Sequence, residues 1–238
     1  MLICLTATIH PKTQKDYKAS VDSRARLKEY VSNIFFLLTD SPFDKIVLCD
    51  NSNYSHEIFS LLVDFAKILG KEFEYMTFDG DVRLVHERGR GAWEQEILEY
   101  FVTHSCLLKD ETSFYKLTGR YRVVNIREVV VLNGERENIF SYMSPWHRRV
   151  STAFFRVSKE VFQKHLWGVI SEIDDSLWEN FQIEWIYTKR IKSIWREVAS
   201  AQKLPIFLAN TGSGYTLKPN ILRDSVKDIL NFLWLYSV

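Results

Sequence analysis

Apolar positions follow two alternating rhythms in the first half of the chain. Residues 2–9 form a short continuous apolar run closed by His10 and Pro11, the pattern of a buried strand ending at a loop. From Ser23 the period lengthens, with Leu27, Tyr30, Val31, Ile34, Phe35 and Leu38 on one helical face until Asp40, Ser41 and Pro42 stop it. Residues 45–50 (KIVLCD) predict a second strand, and Ile58, Leu61, Leu62, Phe65 and Leu69 a second helix closed by Gly70. Residues 73–78 predict a third strand and residues 89–104 a third helix, with Trp93, Ile97, Tyr100 and Phe101 on one face. Three strand and helix units in succession predict a parallel sheet with right-handed crossovers.

After residue 104 the rhythm changes. Residues 114–125, 128–132 and 151–157 read as strands with no long helix between them. Ser158 is placed to cap a helix carrying Val161, Phe162, His165, Leu166, Val169 and Ile170, and a further helix is expected from about Trp178 to Val198. Residues 204–208 predict a last strand, followed by the glycine loop of residues 211–214 and a C-terminal helix from about Arg223. That helix bears Val226, Ile229, Leu230, Leu233 and Trp234 as one apolar stripe, expected to pack on the domain, with membrane contact as the alternative. The expected fold is a single α/β domain over residues 1–238. It has a mainly parallel sheet in its N-terminal half (1–125) and a mixed sheet with helices in its C-terminal half (126–238).

Composition narrows the function classes. At 46% hydrophobic and 26% charged residues the 238-residue chain has ordinary globular usage, which argues against a disordered tail or a repeat array. Its 31 Lys and Arg against 30 Asp and Glu leave a net charge of +1, so nucleic-acid binding driven by a broad basic field is not expected. Cys4, Cys49 and Cys106 sit in apolar runs without short spacing, which suggests neither a disulfide framework nor a zinc site and fits a reduced, cytoplasmic protein. The apolar start lacks a basic region before it and a small-residue cleavage site after it, so it reads as a strand and not as a signal peptide.

Ligands of an open parallel sheet bind beyond the carboxyl ends of its strands. The loops after the first two strands carry Thr6, Ala7 and Thr8, then Asp50, Asn51, Ser52 and Asn53, a polar set suited to a nucleoside. A strand-tip loop is expected outside the core, so Asp50 is expected to serve binding more than folding. In FYKLTGRYRVV, Lys116, Arg120 and Arg122 share one face if the strand is regular. Lys116 and Arg120 are then candidates to neutralise a departing phosphate or diphosphate, with Gly119 admitting the ligand closely. Gly89-Arg90-Gly91 before a helix suggests phosphate contact at a helix N-terminus, where Glu94 and Glu96 also favour the helix dipole. Glu184, between Ile183 and Trp185, is the candidate general base. His147, Arg148 and Arg149 form a basic cluster suited to an acidic acceptor. Asp174 and Asp175 are further acceptor-side candidates whose positions also suit helix capping.

The order LTATI, KIVLCDNSNY, Gly89-Arg90-Gly91 with Glu94 and Glu96, and then FYKLTGRY resembles small bacterial glycosyltransferases of GT-A-like, Rossmann-related fold from capsule and lipopolysaccharide assembly. The likeness runs from Leu2 to about Gly214. It implies a nucleotide-sugar donor across the first strand tips, held by Thr6, Ala7, Thr8, Asp50, Asn51, Ser52, Gly89, Gly91, Thr118 and Gly119. The acceptor, a surface glycan with a lipid-linked form as one alternative, would be held by the second half of a cytoplasmic chain, with peripheral contact with the inner membrane as an alternative. Many GT-A enzymes carry an Asp-x-Asp metal motif where this chain has Lys116-Leu117-Thr118; Asp79-Gly80-Asp81 has the letters but precedes the third helix. No metal site is therefore assigned. Nucleotidyl transfer and a non-catalytic glycan-binding or assembly subunit are the other function classes.

Overall fold

The computed structural model describes residues 1–12, 22–143, 148–175, 177, 181–210 and 216–232. Its strands are β1 (Leu2–Ala7), β2 (Lys45–Asp50), β3 (Glu72–Thr77), β4 (Ser113–Thr118), β5 (Arg122–Val123), β6 (Ile139–Phe140), β7 (Phe154–Ser158), β8 (Ala199–Ser200), β9 (Phe207–Asn210) and β10 (Thr216–Leu217). Its α-helices are α1 (Ser23–Asp40), α2 (Ile58–Ile68), α3 (Val82–Glu87), α4 (Arg90–His104), α5 (Ile126–Asn133), α6 (Lys159–Val161), α7 (Ile183–Ser193) and α8 (Ile221–Phe232). The main sheet runs β3-β2-β1-β4-β7-β6-β8, parallel throughout except that β7 is antiparallel to both neighbours. A small antiparallel sheet, β10-β9-β5, stands beside it. The molecule is thus α/β with a mostly parallel sheet, compatible with a Rossmann-like arrangement.

All six residues of β1 are buried, as a central strand covered on both faces requires. Their alternation divides the core. Leu2 and Cys4 face a cluster with Phe101 of α4 and Tyr187 of α7, while Ile3 and Leu5 face a second cluster with Ile34 of α1 and Phe59 of α2. The strand order proceeds from β1 outward through β2 to β3, then returns to place β4 on the other side of β1. At that switch the strand ends diverge and leave a crevice. The switch therefore sits where Thr6 of β1 pairs with Thr118 of β4.

Several sequence expectations are corrected by the fold. Residues 128–132, read as a strand from their β-branched run, lie in α5. Ile126, Val129 and Val130 are buried there while Val131 is exposed, a helical spacing that a strand would reverse. The run of residues 114–125 is broken between β4 and β5 by a turn in which Tyr121 N–H donates to the Thr118 carbonyl (2.8 Å). Asn33 Nδ2 clamps that turn by donating to the carbonyls of Gly119 (2.8 Å) and Tyr121 (2.9 Å). Ser158 caps α6 as expected, its Oγ accepting from Val161 N–H, but the helix continues only as a π-helical turn over Phe162–Leu166. The helix expected from Trp178 begins at Ile183, and Trp178 itself lies outside the described residues.

Candidate functional site

A cleft of about 880 Å³ opens at the β1/β4 switch. Its floor carries Thr6, Ala7, Thr8 and Thr118; α1 contributes Arg26 and Tyr30, α4 contributes Gly91, Trp93 and Glu94, and α7 contributes Ile183 and Glu184. Arg120 and Tyr121 reach it from the turn after β4, Thr152 from the segment before β7, and Arg223, Asp224 and Lys227 from α8. Of the residues expected to bind or react, the fold thus gathers Thr6, Ala7, Thr8, Gly91, Thr118, Arg120, Asp175 and Glu184 around one space.

Asp50, Asn51 and Ser52 do not line this cleft; they build the loop that does. Asp50 is 0% exposed, and its carboxylate accepts from Ile9 N–H (2.8 Å), Ser52 N–H (3.2 Å), Ser52 Oγ (2.8 Å), Tyr54 N–H (3.2 Å) and Thr77 Oγ1 (3.1 Å). Ser52 Oγ in turn accepts from His10 N–H (2.9 Å). The side-chain amide of buried Asn51 lies between the Ala7 carbonyl (3.1 Å), Thr8 Oγ1 (2.7 Å) and Trp93 Nε1 (2.8 Å); its NH2 toward the first two and its oxygen toward the indole satisfy all three. The expectation that Asp50 sits outside the core is therefore corrected. A carboxylate placed at the tip of a buried strand satisfies the backbone of both adjoining loops.

Lys116 and Arg120 do not share a face. Lys116 is 0% exposed beneath the cleft, where its ammonium pairs with Glu94 and donates to Thr118 Oγ1 (3.1 Å) and the Thr152 carbonyl. Glu94 Oε1 is also approached by the hydroxyls of Thr6 and Thr118, each at 3.3 Å. One carboxylate oxygen thus ties β1, β4 and α4 together, while Oε2 accepts no hydrogen bond among the described residues. Arg120 points from the turn into the cleft and pairs with Glu29 of α1 (3.1 Å). Arg122 lies on the outside, donating to the Ser32 carbonyl (2.9 Å) and lying over the Phe36 ring. Gly119 is required by protein packing: a Cβ there would stand 2.7 Å from the Thr6 carbonyl oxygen and 2.8 Å from the Tyr30 ring.

The N-terminus of α4 is occupied by the protein itself. Asp175 Oδ2 accepts from Gly91 N–H (2.9 Å), and Gly89 carries a φ of 91° with the Asp175 side chain where a Cβ would stand. Asp175 caps this helix from across the cleft, so a carboxylate stands where a phosphate was expected. Burial raises the Asp175 pKa, against the lowering effect of the Gly91 N–H and of Arg90. Glu94 and Glu96 fall beyond the first turn of α4.

Glu184 stands in the first turn of α7, with Thr152 Oγ1 at 3.4 Å. Burial raises its pKa; its own backbone N–H opposes this, the charges of Glu94 and Asp175 add to it, and Arg149 opposes it. Burial likewise raises the pKa of Tyr121, whose hydroxyl senses the charges of Glu94, Arg120, Arg90 and Glu184. Its ring meets Phe207 edge-on at 5.6 Å.

Arg148 and Arg149 do not line the cleft; Arg149 donates to Gln182 Oε1 (2.9 Å), on the residue that precedes α7, and Asp174 N–H bonds the Phe181 carbonyl. His147 and the glycine loop of residues 211–214 lie outside the described residues. On α8, Leu230 packs inward while Val226 and Ile229 are 46% and 59% exposed; Leu233 and Trp234 lie outside the described residues. Among the described residues no group of three or more His, Cys, Asp and Glu is arranged to hold a metal ion, and no helix is long and apolar enough to cross a membrane.

Sequence reading missed Arg26, Tyr121, Thr152 and the α8 pair Arg223 and Lys227. Only the last left a usable signal, two cations at i and i+4 beside an apolar stripe. Neither a comparison with protein-family models nor a search of curated proteins finds a match to this chain.

Proposed function

We propose that this chain is a glycosyltransferase that moves a sugar from a nucleotide-sugar donor to a hydroxyl of a bacterial surface glycan in capsule or lipopolysaccharide assembly. The cytoplasm, where nucleotide sugars are made, is its proposed place of action. The observation that carries this reading is Glu184, a half-buried carboxylate whose ionisation burial disfavours, set in a large cleft at the β1/β4 switch. Open parallel sheets use such crevices for nucleotide ligands. A raised pKa brings a carboxylate closer to the pH at which it must both exist as a base and hold a proton.

In this reading the donor lies over Thr6, Ala7, Thr8 and Thr118. The acceptor hydroxyl oxygen attacks the anomeric carbon as Glu184 takes its proton. The bond from that carbon to the phosphate oxygen breaks, and its electron pair leaves with the nucleotide. Arg120, at the cleft wall, faces the charge that develops on the leaving group. Lys116 acts at one remove by fixing Glu94 and with it the spacing of the strand ends. The reaction class rests on the donor-sized crevice and on the resemblance of KLTGRY and KIVLCDNSNY to small GT-A-like enzymes.

Glu184→Gln tests the assignment. The variant is expected to bind the nucleotide sugar within a few-fold of the parent and to transfer sugar about 100 to 10,000 times more slowly, the contribution of a positioned general base. Unchanged transfer would remove Glu184 from the reaction. Release of pyrophosphate from a sugar phosphate and a nucleoside triphosphate would make the chain a nucleotidyltransferase, and glycan binding without turnover would make it an assembly subunit.

A further inference from the structure

Five cations line the cleft among the described residues, and four of them are engaged. Arg26 Nε donates to the Thr8 carbonyl (2.7 Å), and Arg120 pairs with Glu29 (3.1 Å). Arg90 acts on the Asp175 carboxylate, which the α4 N-terminus also holds. Arg223 donates to the Lys218 carbonyl (2.6 Å) and to Asp224 (3.1 Å). The fifth is Lys227, one turn further along α8, half-buried, with no hydrogen bond or ion pair among the described residues. An ammonium withdrawn from water without a partner is costly, and the cost is offset when an anion arrives. Burial lowers the Lys227 pKa and Arg223 beside it adds to the lowering, while the Asp224 charge opposes both without forming an ion pair.

Arg223 and Lys227 are i and i+4 on one helix, so their side chains are neighbours, and like charges so placed repel until an anion lies between them. Two phosphates joined by one oxygen bring an anionic group to each of two such cations, whereas a nucleoside monophosphate brings one group to the pair. The remainder of α8 holds the pair in place. Leu230 packs beside Ile139, Ala201 and Leu204, and Asn231 Nδ2 donates to the carbonyls of Ala201 (3.1 Å) and Gln202 (3.0 Å).

We infer that the donor is a nucleoside diphosphate sugar, not a nucleoside monophosphate sugar, and that Lys227 on the C-terminal helix binds the phosphate adjoining the sugar. This rests on the glycosyl-transfer reading above and adds to it the leaving group and the residue that receives its charge. When the bond from the anomeric carbon to the phosphate oxygen breaks, the electron pair stays on that oxygen and the phosphate gains a negative charge beside the Lys227 ammonium.

Isothermal titration of UDP, GDP and dTDP, each against its monophosphate, tests the inference. The parent is expected to bind one diphosphate at least about tenfold more tightly than the matching monophosphate. Lys227→Met is expected to weaken that diphosphate about ten- to a hundredfold, the worth of one charge-assisted contact, and to leave the monophosphate within about twofold. Lys227→Arg is expected to keep most of the preference, and Lys227→Met to melt no lower than the parent because it buries no unpaired charge. A parent that binds monophosphates as tightly as diphosphates, or a Lys227→Met that retains the parent's ratio, would overturn the inference and leave the glycosyl-transfer reading standing. A Lys227→Met that melts well below the parent would assign the residue to the scaffold. Failure of all six nucleotides to bind the parent would remove the reading beneath the inference as well.

Discussion

Glu184 shows how much a single side chain discloses before the fold is known. An acid between Ile183 and Trp185 on an aromatic-rich helix is hard to place in solvent, and the structure puts it half-buried in the cleft. Its carboxylate is uncomfortable there, which gives a stability signature independent of any substrate. The folded-state pKa is raised above the ordinary glutamate value, so the folded chain holds that proton more tightly than the unfolded one. No penalty exists below the unfolded pKa, where both states are protonated; the penalty appears as pH rises through the folded pKa and is complete above it. Glu184→Gln should therefore melt above the parent at pH 7.5, with the gap closing as the pH approaches 4. A variant that melts lower than the parent at pH 7.5 would mean that the charged carboxylate stabilises the fold. The other residue assignments turned on contacts invisible in one dimension. Lys116 and Arg120 were separated because the strand turns at Gly119, and a turn held by Asn33 from α1 leaves no local mark beyond that glycine.

At the scale of elements, the first three strand and helix units were legible because a buried strand and a one-sided helix impose periods that sequence preserves. α3 escaped for the opposite reason: six residues are too few to show a period, although Asp81 caps them in the ordinary way, its side chain accepting from Arg83 N–H. α5 was misread because β-branched residues favour strands only where tertiary packing agrees, and here packing on the α1 side of the sheet sets the helical choice. The loops after β1 and β2 are one unit, zipped by Asp50, Asn51 and Ser52, so a change in one should disturb both. Asp50→Ala strands several buried donors and is expected to cost about 2 to 5 kcal/mol of stability, read from urea unfolding. A variant as stable as the parent, with weakened nucleotide binding alone, would return Asp50 to the ligand surface. Gly89 and Asp175 belong to the same scale. Their 86 residues of separation hide a cap that closes α4 from across the cleft, and no local pattern reports it.

Across the whole molecule, strand order decides where chemistry sits. Because β4 returns to the inner side of β1, the loops after two parallel strands part beyond the paired Thr6 and Thr118, and α1, α4, α7, α8 and the turn after β4 all bring charged side chains to one space. The location was legible from three repeated units; the composition of the walls was not, since α7 and α8 are distant in sequence and reach the cleft only through the mixed half of the sheet and the β9–β10 pair. The central claim is that this cleft binds a nucleotide. Thermal unfolding of the parent with UDP, GDP, CMP or dTDP tests it most directly, because a ligand that binds only the native state raises the melting temperature. At a hundredfold excess over its dissociation constant a ligand adds about 2.7 kcal/mol, roughly 5 to 10 °C for a chain of this length. The account predicts a shift of that size for at least one of the four; no shift with any of them, with or without magnesium, would contradict it.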